Sequence, residues 1–247
     1  MLTTYNRLAL TQRMIESLFK HTDAPFRLII VDNGSTDGTV EWLKSMPQDH
    51  PLCQSYDFHF NEKNLGIACG RNRAMKIADK YNDEWLSTLD NDIELIPNWL
   101  TKCLDVLSTN PKFAIGLNME DIEYPIMILN SKTVQFKKIG NLGTACTVFS
   151  RKLHETIGFF NTEFGLYGEE DADFFIRSRV MGWQMGYLPE KGTHFGVGEL
   201  DTGEYREWKT KMHAENLTKF QSTCHLYHQK KKPIFTPFSC PGDTSGD

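Results

Sequence analysis

Nothing in this sequence is arranged for crosslinking. Its six cysteines, Cys53, Cys69, Cys103, Cys146, Cys224 and Cys240, are scattered, with no C-x-x-C pair and no zinc-ligand spacing. That excludes a disulfide scaffold and a zinc ribbon and leaves buried thiols as the expectation. Long apolar runs are missing as well: no stretch approaches the ~20 residues a membrane-crossing helix needs. The opening Met1-Leu2-Thr3-Thr4-Tyr5-Asn6 is no signal peptide, so a cytoplasmic location is expected. Positive charge is in short supply, 27 Lys and Arg against 32 Asp and Glu for a formal net charge of -5. Bulk electrostatic wrapping of nucleic acid is therefore disfavoured, while a local basic patch stays open. No Gly-rich phosphate loop with a basic neighbour opens the chain, as a nucleotidyltransferase would require. We find no internal repeat and no linker.

What is present is alternation. Leu8 to Lys20 has helical apolar spacing, and Phe26 to Val31 is a continuous apolar strand that runs into the turn cluster Asp32-Asn33-Gly34-Ser35-Thr36-Asp37-Gly38-Thr39. Ser35, Thr36 or Asp37 is then placed to cap a helix carrying Val40, Trp42, Leu43 and Met46. The sentence repeats: strand Tyr56 to Phe60, loop Asn61 to Gly66, helix Ala68 to Tyr81, strand Trp85 to Leu89, helix Pro97 to Leu107. Such alternation predicts an α/β fold with a mainly parallel sheet flanked by helices on both faces. Beyond Asn110-Pro111 the pattern loosens into short strands at Phe113 to Leu117, Pro125 to Leu129 and Thr144 to Phe149, then helices at Arg151 to Ile157 and Asp171 to Met181. Tyr205 to Lys219 reads as an amphipathic, mostly basic helix, with Lys209, Lys211, Lys219 and Lys230 to Lys232 as solvated surface or, alternatively, a contact for phosphate on a membrane or a nucleic acid. The tail from Lys230 to Asp247 reads as loose.

Two acidic clusters carry the chemistry. The strand Trp85 to Leu89 stops at Asp90-Asn91-Asp92, which would set both carboxylates at the carboxyl edge of the sheet, where open α/β proteins bind ligands. Hard oxygen donors at this spacing suit Mg²⁺ or Mn²⁺ together with substrate phosphates, although Asp-Asn-Asp is also ordinary turn chemistry. A calcium loop is excluded, because Leu95 stands where that loop needs glycine. The second cluster, Glu169-Glu170-Asp171-Ala172-Asp173, opens a helix, where acids are also favoured simply by the helix dipole.

Taken together and in order, Thr4-Tyr5-Asn6-Arg7, Val31 to Thr39, Asn64-Leu65-Gly66 with Arg71-Asn72, Leu89-Asp90-Asn91-Asp92, Gly168 to Arg177, Gly182-Trp183 and His194 resemble the family 2 glycosyltransferases of the GT-A fold. The resemblance spans about Thr3 to Gly196. It implies a GT-A, Rossmann-like domain over 1–198, with a nucleotide half at 1–95 and an acceptor half at 96–198, followed by a helical extension and tail at 199–247. It further implies an inverting transfer of one sugar from a UDP-sugar to an acceptor hydroxyl on a glycan, lipid-linked sugar or other glycoconjugate, with Mn²⁺ or Mg²⁺. Acceptors that are modified nucleobases or proteins, or a non-catalytic nucleotide-sugar-binding module, are the alternatives, and peripheral membrane contact stays open. Carried over by position, Thr4, Asn6, Arg7, Asp32, Asn64, Gly66, Arg71, Asp90 and Asn91 would bind the nucleotide sugar, with Asp32 on the base. Asp92 and His194 would hold the metal, Asp171 would be the general base, and Glu170, Trp183, Gly143 and Thr144 would touch acceptor or sugar. Arg71 and Arg73 have the alternative of a solvated helix face, and Trp183 that of packing.

Two departures matter. The first strand, Met1 to Tyr5, is short, which implies a short sheet edge or a chain that begins late, and Asn161 stands where an acid is common in the family, which leaves sugar selectivity open. Without a long carboxyl-terminal apolar helix, a processive polysaccharide synthase is not expected.

Overall fold

The computed structural model describes residues 1–119, 122–195 and 203–240. Its strands are β1 (Leu2–Thr4), β2 (Phe26–Asp32), β3 (Cys53–Phe60), β4 (Trp85–Asp90), β5 (Ile93–Glu94), β6 (Phe113–Asn118), β7 (Ile126–Leu129), β8 (Lys132–Phe136), β9 (Cys146–Ser150), β10 (Gln184–Lys191) and β11 (Thr193–His194). Nine of them form one sheet in the order β3-β2-β1-β4-β9-β6-β10-β8-β7, and β11 pairs with β5 apart from it. The helices are α1 (Leu8–His21), α2 (Thr39–Ser45), α3 (Ile67–Ala78), α4 (Trp99–Leu107), α5 (Arg151–Ile157), α6 (Glu170–Val180), α7 (Gly203–Thr223) and α8 (His225–His228).

Period-two alternation in β2 explains the two layers of helix. Leu28 and Ile30 face a core shared with Met14 and Leu18 of α1, Leu43 of α2 and Leu107 of α4. Ile29 and Val31 face the other core, with Ala74 and Met75 of α3, Leu153 of α5 and Phe174 of α6. Strands buried on both faces need the continuous apolar runs seen here. The first four strands of the sheet, β3 to β4, are parallel. Beyond them β9 runs antiparallel to both β4 and β6, so the remainder of the sheet is mixed.

Register positions the site. Thr4 pairs with Asp32 and Thr3 with Asp90, so the ends of β2, β1 and β4 meet at one carboxyl edge. Short as it is, β1 is not an edge: it lies between β2 and β4. The cap of α2 also differs from expectation. Gly38 occupies it at φ 94°, because Ser35 is drawn back to Asp32 while Asp37 accepts from Leu8 N at 2.9 Å and Thr39 N at 3.1 Å.

The carboxyl-terminal residues are not loose as far as Cys240. Phe159 N donates to Thr236 O and Thr236 N to Ile157 O, both at 2.9 Å, and Asn72 Nδ2 reaches Ser239 O at 3.3 Å. Nor is α7 amphipathic. It has no apolar stripe, and only Asn216 is buried, donating to Phe164 O and Tyr167 O at 2.7 and 2.8 Å. The expected boundary at 198–199 falls outside the described residues. No described helix is long and apolar enough to cross a membrane.

Candidate functional site

At the end of β4, the three residues of Asp90-Asn91-Asp92 diverge. Asp90 N is held by Ala145 O at 2.8 Å, and its carboxylate takes Arg71 Nη2 at 2.8 Å. Asn91 turns inward, donating to Thr4 Oγ1 and Thr11 Oγ1 at 3.0 Å each, so it pins β1 and α1 to the loop. Asp92 is buried and takes Arg7 Nη1 at 3.0 Å. Its neighbour His194 arrives from far along the chain because β11 pairs with β5, His194 opposite Ile93, and Phe195 N donates to Asp92 O at 2.7 Å.

Asp90, Asp92 and His194 each present a ligand atom, all within 4.8 Å of one another. His194 Nε2 lies 3.4 Å from Asp92 Oδ1, and its Nδ1 is buried with no hydrogen-bond partner among the described residues. Burial, then repulsion by Asp90, pushes the Asp92 carboxyl above its usual range, against the pull of His194 and Arg7. Two crowded carboxylates and an imidazole with a buried orphan nitrogen fit a divalent cation of the Mn²⁺ or Mg²⁺ class, whose charge would relieve that repulsion.

Around this trio the loops are tied to one another. Asn6 N donates to Ser35 Oγ at 2.6 Å, and Asn6 Oδ1 accepts from Thr36 N at 2.9 Å. Asp32 is fully buried, its carboxylate accepting from Gly34 N, Ser35 N and Ser35 Oγ. It shapes the loop rather than facing the cleft. Asn64 Oδ1 accepts from Gly66 N at 2.9 Å and from Asn33 Nδ2 at 3.0 Å. Gly66 has φ 89°, and a Cβ there would come within 2.5 Å of Gly165 O. These loops line a pocket of about 200 Å³ that includes Thr4, Arg7, Asn64, Asp90, Asn91 and Asp92.

A larger cleft of about 680 Å³ opens beside it, sharing Ile67, Asp90, Tyr167, His194 and Lys209. On its wall stand Gly143, Thr144, Glu170 and Asp171. Asp171, in the first turn of α6, is only partly buried, and its Oδ1 accepts from Ala172 N at 2.7 Å. Burial raises its pKa, and Arg71, the Ala172 N–H and Asn141 draw it down again. Glu170 is buried and pushed up to about 7, by burial first and then by Asp171, although Arg71 opposes the shift. Arg71 is the link: only 4% exposed, it donates Nη1 to Glu170 at 2.7 Å and Nη2 to Asp90 at 2.8 Å. It is not a solvated face; it joins the two acidic clusters through the protein.

A protein-family model described as glycosyl transferase family 2 matches residues 1–158. The chain belongs to that family. Among relatives of this family 2 chain, a Haemophilus influenzae protein named as an uncharacterized glycosyltransferase is 32% identical over 191 residues, covering 70% of this chain and 59% of the relative. An N-acetylglucosaminyl-diphospho-decaprenol L-rhamnosyltransferase of Mycobacterium tuberculosis is 23% identical over 226 residues, covering 75% and 71%. Glycosyltransferases of Rickettsia bellii and Bacillus subtilis are spanned over only 14% and 17% of their length. Among solved structures, a Pyrobaculum calidifontis mannosyltransferase in complex with GDP-Man and Mn²⁺ superposes with a TM-score of 0.64 at 18% identity, covering 92% of this chain and 67% of the other. TarS of S. aureus gives 0.60 at 17% identity over 90% and 43%. The fold is GT-A.

The structure departs from several expectations about residues. Trp183 packs in the second core, 5% exposed, with Lys112 Nζ 5.1 Å from the ring centroid, and lines neither cavity. Asn161 caps the short 3-10 turn Thr162–Phe164 by accepting from Glu163 N at 3.0 Å, and it lines neither cavity. Residues that sequence reasoning passed over come from α7: Tyr205 and Trp208 at the smaller pocket, and Arg206 and His213 at the larger cleft, with Lys209 bordering both. Lys209 is not simple solvated surface. The available signal was their spacing of three and four residues along one helix edge.

Proposed function

We propose that this chain is an inverting, metal-dependent glycosyltransferase that moves one sugar from a UDP-sugar to an acceptor hydroxyl of a glycan, lipid-linked sugar or related glycoconjugate. One observation carries the reading: Asp90 and His194 line the same cleft as the Asp171 carboxylate, Asp92 stands beside them in the adjoining pocket, and buried Arg71 joins Asp90 to Glu170, the neighbour of Asp171. A neighbouring fold that holds GDP-Man with Mn²⁺ supports a nucleotide-sugar donor.

In this reading residues 1–95 hold the donor. Thr4, Arg7, Asn64 and Asn91 line its pocket, while Asn6, Asp32 and Gly66 fix the loops behind it. Asp90, Asp92 and His194 would hold Mn²⁺ or Mg²⁺, which when bound supplies positive charge to the departing diphosphate. Residues 96–198 hold the acceptor against Gly143 and Thr144, which line the cleft with Asp171. Asp171 takes the acceptor's proton as its oxygen attacks the anomeric carbon from the face opposite the leaving diphosphate, which inverts that centre. Arg71 keeps Asp90 and Glu170 oriented and moderates the negative charge around the base.

The test is a nucleotide-sugar panel with Mn²⁺, scoring released nucleotide and the anomeric configuration of the product. Turnover with UDP-sugars that EDTA abolishes, and that Asp92→Ala and Asp171→Asn each remove, is the expected result. Undiminished transfer by Asp171→Asn would overturn the base assignment. UDP binding without turnover of any sugar would make the chain a binding module.

A further inference from the structure

The helix α7 carries a second functional face that the transfer reaction as described leaves unused. Arg206, Lys209, Thr210 and His213 fall at i, i+3, i+4 and i+7 and all line the 680 Å³ cleft. Glu204 and Glu207, in the same turns, line neither cavity, so the edge of α7 turned to the cleft is cationic while its acids point elsewhere.

The division between the two cavities decides what such an edge serves. Tyr205 and Trp208, stacked with centroids 5.7 Å apart, border the smaller pocket beside Asp92 and His194, where the donor's diphosphate belongs. Arg206 and His213 line only the larger cleft, on the side of Asp171, Gly143 and Thr144. Lys209 borders both and lowers the charge burden at Asp92. Opposing charge in the cleft comes from Asp90, Glu169, Glu170 and Asp171. Asp90 and Glu170 are taken by Arg71, and Glu169 Oε1 by His213 Nδ1 at 3.2 Å. Arg206 is exposed, and no ion pair engages it among the described residues. The helix itself is seated by Asn216 and by Lys219 Nζ, which donates to Glu163 O at 2.5 Å, so this edge is held over the cleft.

We propose that Arg206, Lys209 and His213 form a phosphate site for the acceptor, so that the molecule receiving the sugar carries a phosphate or diphosphate near the reacting hydroxyl. This rests on the glycosyl-transfer reading given above. A planar guanidinium with a nearby ammonium and imidazole is a set of donors suited to phosphate oxygens, and it stands on the acceptor side of the base. The phosphate could be a lipid headgroup or belong to a soluble sugar phosphate; both present the same oxygens.

The probes are methyl phosphate in solution and dodecyl phosphate in neutral phosphatidylcholine vesicles, titrated in metal-free buffer against the full chain, Arg206→Ala/His213→Ala, and Lys211→Ala, which removes an exposed cation of the same helix that lines neither cavity. We expect the parent and Lys211→Ala to bind alike and the double variant to bind at least about tenfold more weakly, the scale of losing charge-assisted hydrogen bonds. Preference for dodecyl phosphate assigns a lipid-borne acceptor, and equal binding a soluble one. No binding by the parent, undiminished binding by the double variant, or an equal loss in Lys211→Ala would overturn the site. Phosphate binding in a chain that turns over no nucleotide sugar would overturn its assignment to an acceptor and the function with it. Turnover with an α7 blind to phosphate would overturn only the present proposal.

Discussion

Among single side chains, Arg71 and the two acids at the start of α6 set the behaviour of the proposed reaction. As the proposed base, Asp171 must be ionised to accept a proton, and burial holds its pKa above the usual 3.8. Activity should therefore rise with pH through that raised value and fall away below it. Arg71 draws both Asp171 and Glu170 downward, so Arg71→Gln should move the acid limb of kcat/KM to higher pH; an unmoved limb would detach Arg71 from the base. Asp171→Asn should reduce transfer by about 10²–10⁴-fold, the usual contribution of a general base, while calorimetry finds UDP affinity unchanged. In the sequence, Asp90, Asp92 and Asp171 were legible because a strand-end acid pair and an acid-rich helix start are local patterns, whereas His194 is reached only through the family resemblance. The fate of Arg71 was not legible: its place at the first turns of α3 looks the same in sequence whether that turn faces water or two carboxylates.

At the scale of elements, strand, turn and helix were readable as far as α4, since each short apolar run ends in its own turn residues. The strand β10 went unread because its partners β6 and β8 are distant in sequence and its pattern is broken by Gly186 and Pro189, and β8 because three of its five residues, Lys132, Thr133 and Gln135, are polar. Loops depend on a few positions. Gly66→Ala combines a positive φ with a clash against Gly165 O and should cost about 1–3 kcal/mol in urea unfolding, with weaker nucleotide binding. The loop after β8 is held from α6: Arg179 donates to Lys137 O, Lys138 O and Gly140 O at 2.6, 2.9 and 2.9 Å. Because the same loop continues to Asn141 and Gly143 beside the base, Arg179→Ala should raise the acceptor KM several-fold and leave the donor KM in place.

Over the whole molecule, the carboxyl-terminal segment is fastened to α6 by a buried charge. Asp173 is fully buried and accepts from Arg177 Nε at 2.8 Å and from the Tyr227 hydroxyl, with Lys232 Nζ at 3.5 Å. Removing it strands the fully buried Arg177, so Asp173→Ala should lower stability by about 3–5 kcal/mol, measured by chemical denaturation. That anchoring escaped sequence reading because composition marks Lys230 onward as polar and turn-rich, and only the folded chain shows what those turns rest against. The pairing of β5 with β11 has one more consequence, in the order of events. It is a ladder of two residues closing a loop of about a hundred, and such closures pay their entropy before contacts repay it. A refolding chain should regain its sheet signal first and its metal-dependent turnover last, so that catalytic competence matures as the final step of assembly.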